Sequence, residues 1–291
     1  MSIVLRARFV PPLARARWRA PHLPLSTVLL ALIVLSALAA PWIAPYDPTQ
    51  QLDIVALKNA PPSAAHLLGT DPYSRDLLSR LLHGGRVSLA VSGLATVVAA
   101  LLATLWGGMA AVSGPVVGGI LMDVADALRA VPRKLLLLAI MLVVAHPSVP
   151  LLALLLGAGS WTALAQVVYT EARAVRAREF VCAAEALGVP PRRLLVHHVA
   201  PHLTRVVGAA SATLLADLLA VEAGVSFLGL GVRPPTPCWG TILQDGVAYL
   251  GSAWWVALAP ALLLVLTVLG VARLADRLTA PKASRHRGAL R

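Results

Sequence analysis

Charge is what this sequence has least of. Only 13% of its 291 residues are charged, 58% are hydrophobic, and the mean hydropathy is +0.78. Soluble domains hold roughly 45–50% apolar residues, so water cannot be the main solvent of this chain. Acids are the scarcer sign, 13 against 25 basic residues, for a net charge of +12. A basic footprint on nucleic acid needs a soluble face, whereas these cations border apolar runs, which speaks against nucleic-acid binding. Cysteine is nearly absent, with Cys182 and Cys238 alone. A phosphate-cradling G-x-x-x-x-G-K-[ST] loop is missing: the glycine-rich pieces FLGLGV and HGG lack the lysine and hydroxyl that phosphate and magnesium need. Catalytic constellations are missing as well. Ser211 and Ser226 have no neighbouring His and Asp in a triad-like arrangement, and no clustered acid and base at one membrane face suggests an enzyme. His197, His198 and His202 lack a carboxylate or thiol beside them, so surface histidines on a helix explain them as well as a metal would.

What the chain does have is long apolar runs. A helix needs about 20 residues to cross a hydrocarbon core of about 30 Å. Six candidates follow: Leu25 to Ala44, Val87 to Val112, a third from Pro115 to Ala145, Val149 to Tyr169, Val206 to Leu230, and Trp254 to Leu274. The third is interrupted by Asp123, Asp126, Arg129, Arg133 and Lys134. Trp42, Trp239, Trp254 and Trp255 lie near the expected ends, where aromatic rings favour the interface. The first run lacks a cleavage site followed by soluble sequence and reads as a retained span.

Orientation follows from the excess of Arg and Lys on cytoplasmic flanks. The segment before the first run carries Arg6, Arg8, Arg15, Arg17 and Arg19, the stretch from Arg173 to Arg205 carries six Arg, and the C-terminal end another six cations. The opposite side has Lys58, Arg75, Arg80 and Arg86 in a long loop, balanced by Asp47, Asp53, Asp71 and Asp76, with Arg233 in the last loop. Both termini are therefore expected in the cytoplasm. The expected layout is a tail at 1–24, a six-span domain at 25–275 with an external loop at 45–86 and a cytoplasmic loop at 171–205, and a basic tail at 276–291. Cys182 and Cys238 then fall on opposite sides and cannot pair, and neither implies a redox role.

The cytoplasmic loop has helical grammar. Glu171 to Leu187 contains no glycine or proline and ends at Gly188, the residue that most easily turns left-handed at a helix end. Pro190 and Pro191 follow, and Pro191 suits the first turn of a second helix carrying Leu194, Leu195 and Val199 towards Pro201. Small Ala183, Ala184 and Ala186 permit close approach, while Leu187, Val189, Leu194 and Leu195 form an apolar patch that calls for a partner. A helix-turn-helix DNA reader tethered at both ends to membrane helices could scarcely enter a major groove.

These residues carry a resemblance. AAEALG at 183–188, nine further residues, and HVAP at 198–201 resemble the EAA signature of ATP-binding-cassette importer permeases. HLLGTDPYSRDLLSRLLHGGRVSL at 66–89, MDVADALRAVP at 122–132 and EAGVSFLGLGVRPPTPCWGTIL at 222–243 resemble dipeptide, oligopeptide and nickel permeases, most of all the second permease subunit of a dipeptide importer. The resemblance implies an all-α type I importer permease in the bacterial inner membrane. The loop would dock on an ATPase subunit through Cys182, Ala183, Ala184, Leu187, Gly188, Leu194 and Pro201. Two positions depart from the signature: Cys182 stands where Glu is frequent, and Ala200 where Leu is frequent.

The implied partners are a second homologous permease, two ATPase subunits or domains that hold ATP and Mg, an extracytoplasmic substrate-binding protein, and membrane lipid. This chain itself would bind no cofactor and no metal and would not be an enzyme. It would form half of an alternating-access pore for dipeptides or related small peptides; oligopeptides, nickel chelates or haem are the family's other cargoes. Asp217 and Glu222 in the fifth run are candidates for the pore or the substrate path, pairing with a neighbour being the other role open to them. Asp123, Asp126 and Arg129 recur every three residues, as expected of a charge ladder facing the protein interior. Arg133 and Lys134 are unusual for the family and are expected to snorkel or to sit at the interface. A secondary transporter without an ATPase is the alternative of another class, although the two halves show no internal repeat.

Overall fold

Backbone polar groups in hydrocarbon must be satisfied within their own segment, and the chain answers with helices: no strand occurs among the described residues. The computed structural model describes residues 25–144, 147–190 and 193–279. The basic tails, with Arg6, Arg8, Arg15, Arg17 and Arg19 in the first, and Pro191, expected to open the second loop helix, lie outside these residues.

Eleven α-helices are described: α1 Leu25–Leu38, α2 Ala40–Ile43, α3 Leu77–Val112, α4 Pro115–Ala130, α5 Arg133–Val144, α6 Val149–Ala158, α7 Trp161–Arg176, α8 Glu179–Ala186, α9 Ala200–Phe227, α10 Trp239–Val247 and α11 Trp254–Thr279. A π-helical turn, Leu194–Val199, leads into α9.

The six expected runs are not all single helices. Among the described residues three helices are long and apolar enough to cross a membrane alone: α3, the π-turn with α9 (Leu194–Phe227), and α11. The pair α6 and α7 makes a fourth if counted together across its 49° bend. The first run forms the 14-residue α1 and the short α2, with Pro41 in the first turn of α2. The third run is split into α4 and α5 at Val131 and Pro132, because proline disfavours the α region for the residue before it and Val131 is indeed extended.

The second span also starts earlier than expected. Asp76 caps α3 by accepting a 2.8 Å hydrogen bond from the Ser79 N–H, so Arg80 and Arg86 lie on the helix and the loop expected at 45–86 ends near Asp76. At 36 residues, α3 is about 54 Å long, more than a bilayer core requires.

α3 is the central element, packed on α1, α4, α6, α7 and α9, and α11 leans on α9, α10 and α1. Lipid tails are as apolar as leucine, so helices in a membrane associate by close packing of small residues rather than by hydrophobic burial. The buried face of α3 is built that way, from Gly84, Gly85, Ser88, Ser92, Ala95, Ala99, Ala103 and Gly107. A Cβ on Gly107 would stand 2.5 Å from the Ala165 carbonyl of α7, and one on Gly157 would stand 2.6 Å from the Ala95 carbonyl of α3.

The loop between α2 and α3 is held by ionic contacts. Asp71 pairs with Arg75 at 2.7 Å and with Arg80, and both arginines reach Asp245 of α10 at 3.0 Å. His66 meets Asp76 at 2.9 Å. Of the charges expected to balance one another across this loop, Asp71, Arg75 and Arg80 join Asp245 in a largely buried clamp that locks it to α3 and α10, while Asp47 and Asp53 bond within their own turns.

Candidate functional site

Two groups of residues stand out against this framework: a protrusion at one end of the bundle, and charges placed partway along its length.

The protrusion consists of α8, the turn at Gly188 and the π-turn. The expected helix Glu171 to Leu187 breaks at Ala177 and Arg178, with Arg178 extended. The corner folds α8 back, so that Val181 and Ala184 join Val168, Ala172 and Val175 of α7 in one core cluster. Arg176 fastens the corner, donating to the Ala111 carbonyl of α3 at 3.0 Å and pairing with Glu185 of α8.

Gly188 stops α8 as expected, with φ +79°. Its N–H donates to Glu185 O at 3.0 Å, and the Val189 N–H donates to Ala184 O at 3.2 Å, the two bonds of a Schellman C-cap. Among the described residues beyond its chain neighbours, no atom lies within 4 Å of where a Cβ would be, so the requirement for glycine is conformational.

Pro201 does not close a separate helix. It sits in the first turn of α9, and the π-turn runs into it without a break. Proline has no N–H and its ring crowds the carbonyl one turn back; the wider π-turn, in which the Ala200 N–H donates to Leu195 O, relieves that crowding. The protrusion and a long apolar helix are therefore one rod.

The structure divides the sequence-predicted loop residues. Cys182, Ala183, Leu187, Gly188 and Pro201 are exposed, while Ala184 and Leu194 are buried in the protrusion's own core. The expected apolar patch is corrected accordingly: Leu194 is fully covered and Leu195 and Val189 are partly covered, because the cluster under α8 takes them. The exposed apolar surface is made instead by Leu187, 85% accessible, with Phe180 and Val196. Arg178, Arg193 and His197 are exposed around it. Phe180 and Val196 were missed by sequence reasoning; their i−8 and i+8 placement about Gly188 carries no local signal.

At the second group, Asp217 of α9 pairs with Arg133 at the start of α5, and both side chains are only partly covered, 42% and 32% accessible. Neither snorkelling nor an interfacial position is needed to account for Arg133. Glu222 is another matter: it has no accessible surface, its Oε1 accepts from Ser226 Oγ at 2.9 Å, and its Oε2 has no hydrogen-bond partner among the described residues. Its expected place on a substrate path is corrected to one inside the subunit, where Ser226 Oγ in turn accepts from the Val232 N–H and ties the chain after α9 back onto the helix.

Asp123, Asp126 and Arg129 are all exposed, so the charge ladder does not face the protein interior. Gly118, Met122 and Ala125 form the buried face of α4, and the charges project from other sides; Arg129 pairs with Asp126 at 3.2 Å. Among the described residues no group of three or more His, Cys, Asp or Glu is placed to hold a metal ion.

The arrangement has close relatives. The family model for a binding-protein-dependent transport system inner membrane component matches residues 87–281, and that for the N-terminal transmembrane domain of oligopeptide transport permease C matches residues 25–62. The chain is 36% identical over 256 residues to the Di/tripeptide transport system permease protein DppC of Pseudomonas aeruginosa, covering 86% of this chain and 83% of that one. It is 35% identical over 260 residues to the Dipeptide transport system permease protein DppC of Escherichia coli K12, covering 86% and 85%. With the Oligopeptide transport system permease protein OppC of Haemophilus influenzae it shares 30% over 244 residues, 84% and 78% of the two chains.

Proposed function

The chain belongs to the family of binding-protein-dependent transport system inner membrane components, multi-pass transport permeases, and from that membership we propose that it imports dipeptides or related small peptides as half of a pore driven by partner ATPases. The partners in this reading are a second permease, two ATP-binding-cassette subunits carrying ATP and Mg, and an extracytoplasmic binding protein. Both termini and the protrusion face the cytoplasm. This chain supplies no nucleotide site, cofactor or metal centre, and hydrolysis takes place on the ATPase subunits.

One observation carries the coupling role: the protrusion is rigid and continuous with α9. Arg176 clamps α8 to the end of α3, the Schellman cap fixes the turn, and the π-turn joins the protrusion to a 34-residue helix. A push on Leu187 and its neighbours therefore tilts α9 and α3 instead of being absorbed in a loose loop. Cys182, Ala183 and Gly188 make up the small-residue surface that admits the ATPase, Leu187 enters its groove, and Ala184, Leu194 and Pro201 hold the shape. The two conformations of the pore have different affinities for the ATP-bound dimer, which is what lets hydrolysis switch access.

Affinity purification in mild detergent, comparing wild type with Gly188→Arg, tests this reading. ATPase subunits should accompany the wild type and be lost, or hydrolyse ATP without transport, in the variant, whose side chain adds both strain and bulk at the docking turn. A folded wild type that brings no ATPase would overturn the proposal.

A further inference from the structure

Two interrupted helix pairs break beside one another. α4 runs 16 residues from the protrusion end before breaking at Val131 and Pro132, and α7 runs 16 residues from Gly159 and Ser160 back to that end. At 1.5 Å per residue both breaks lie about 24 Å in. Gly157, just before the second break, packs on Ala95 and Val98, near the middle of α3. The breaks therefore sit beside the middle of α3, within its apolar stretch, and interrupted helices offer unpaired backbone groups to whatever lines such a break.

A cavity of about 400 Å³ opens at this point, within the range of small-ligand pockets. Its walls are mostly apolar, with Leu137, Leu155 and Trp161 among them, and its cations are Arg129 and Arg133. The stem of Arg133 lies against Gly159 in the second break, and its guanidinium pairs with Asp217 across from α9. An ion pair about one-third accessible at this depth cannot face hydrocarbon; it must border water or protein. Arg133 has five donors in a planar fork, and its partner is itself partly open, so the pair has capacity left for a second carboxylate and a second ammonium.

We propose that Arg133 and Asp217 form a zwitterion-reading station for the passing peptide. The peptide carboxylate inserts at Arg133, its ammonium takes up the freed side of Asp217, and an apolar side chain rests against Trp161 and the leucines. The pair closes on itself once the peptide leaves, so no unpaired charge remains in the membrane between passages. Backbone amides at the starts of α5 and α7 add to the attraction for the carboxylate. This inference rests on the peptide-import reading and goes beyond it by naming the residues that recognise the cargo inside the pore.

The test uses the assembled importer, with its binding protein, partner permease and ATPases, in proteoliposomes. Uptake of a dipeptide with a free carboxylate is compared with that of its C-terminal amide, for wild type, Arg133→Gln and the charge swap Arg133→Asp with Asp217→Arg. Because the binding protein discriminates equally in all three, a change in the acid-to-amide ratio reports on this chain alone. The expected result is a loss of about tenfold in that ratio for Arg133→Gln, as for loss of one charge-assisted bond. The swap should keep assembly and ATP hydrolysis but not recover the ratio. An unchanged ratio in Arg133→Gln, or full recovery of selective transport by the swap, would reduce the pair to a structural clamp and overturn the inference. A wild-type assembly that hydrolyses ATP on contact with the binding protein but imports no peptide of either kind would instead sink the peptide reading, and this inference with it.

Discussion

Two arginine–aspartate pairs in this chain have the same chemistry and opposite settings. Arg80 and Asp71 are sealed, 2% and 0% accessible, and are shared with Arg75 and Asp245 in a four-residue clamp between the loop before α3, α3 itself and α10. Arg133 and Asp217 stand alone and partly open at the junction of α5 and α9. Sealing a charge in a network fixes one geometry, because removing any member strands a desolvated partner. Leaving a pair open preserves the freedom to exchange partners. The first setting suits an element that holds still; the second is what the proposed peptide path requires.

The largest effect should come from breaking the sealed network. Asp71→Asn leaves Arg80 and Arg75 buried with half their neutralisation, and loss of a buried partner typically costs about 3–5 kcal/mol. Thermal unfolding in detergent should show a large drop in midpoint, accompanied by poor assembly.

A smaller loss is expected at the protrusion. Gly188→Ala forces a Cβ into a left-handed conformation at a cost of about 1–2 kcal/mol. The subunit should still fold, while ATP hydrolysis becomes less responsive to the binding protein, read as a reduced ratio of stimulated to basal rate.

Asp217→Asn sharpens the contrast with Asp71→Asn. An exposed or half-open pair contributes about 0–1 kcal/mol to stability. The unfolding midpoint should therefore barely move while peptide uptake falls, which separates a pair used in transport from one used in folding. The smallest change in stability belongs to Leu187→Asp. A side chain 85% accessible has little packing to lose, yet a charge placed in the docking surface should abolish co-purification of the ATPase.

The legible parts of this molecule were those with a local cause. Gly188 announces a left-handed turn because no other residue adopts it as cheaply, and the predicted stop is where the structure places it. The charges in the third run were a fair warning, since that run breaks at Pro132 into two shorter helices. Asp76, with Ser79 three residues on, held a capping signal that would have moved the start of α3 back from Val87 to Leu77.

What could not be read had a distant cause. Ala177 and Arg178 include no helix breaker; the corner there comes from the core under α8 and from Arg176 reaching Ala111, 65 positions away. Arg133 and Asp217 are 84 positions apart, so two charges that looked anomalous separately become reasonable only as a pair. Leu194 and Leu187 are equally apolar, and only the folded protrusion decides that the first is core and the second is surface.

The chain carries its own probe for the central claim that the protrusion is the surface through which ATPase motion enters. Its two cysteines are the exposed Cys182 on α8 and the buried Cys238, whose thiol burial pushes up to about 11. A thiol-specific photo-crosslinker will therefore label Cys182 rather than Cys238 in the isolated subunit, which is then assembled with its partners before irradiation. The account predicts a single major adduct to an ATPase subunit, with a yield that changes between the ATP-bound and nucleotide-free states. Efficient labelling of Cys182 with no ATPase adduct in either state would contradict it.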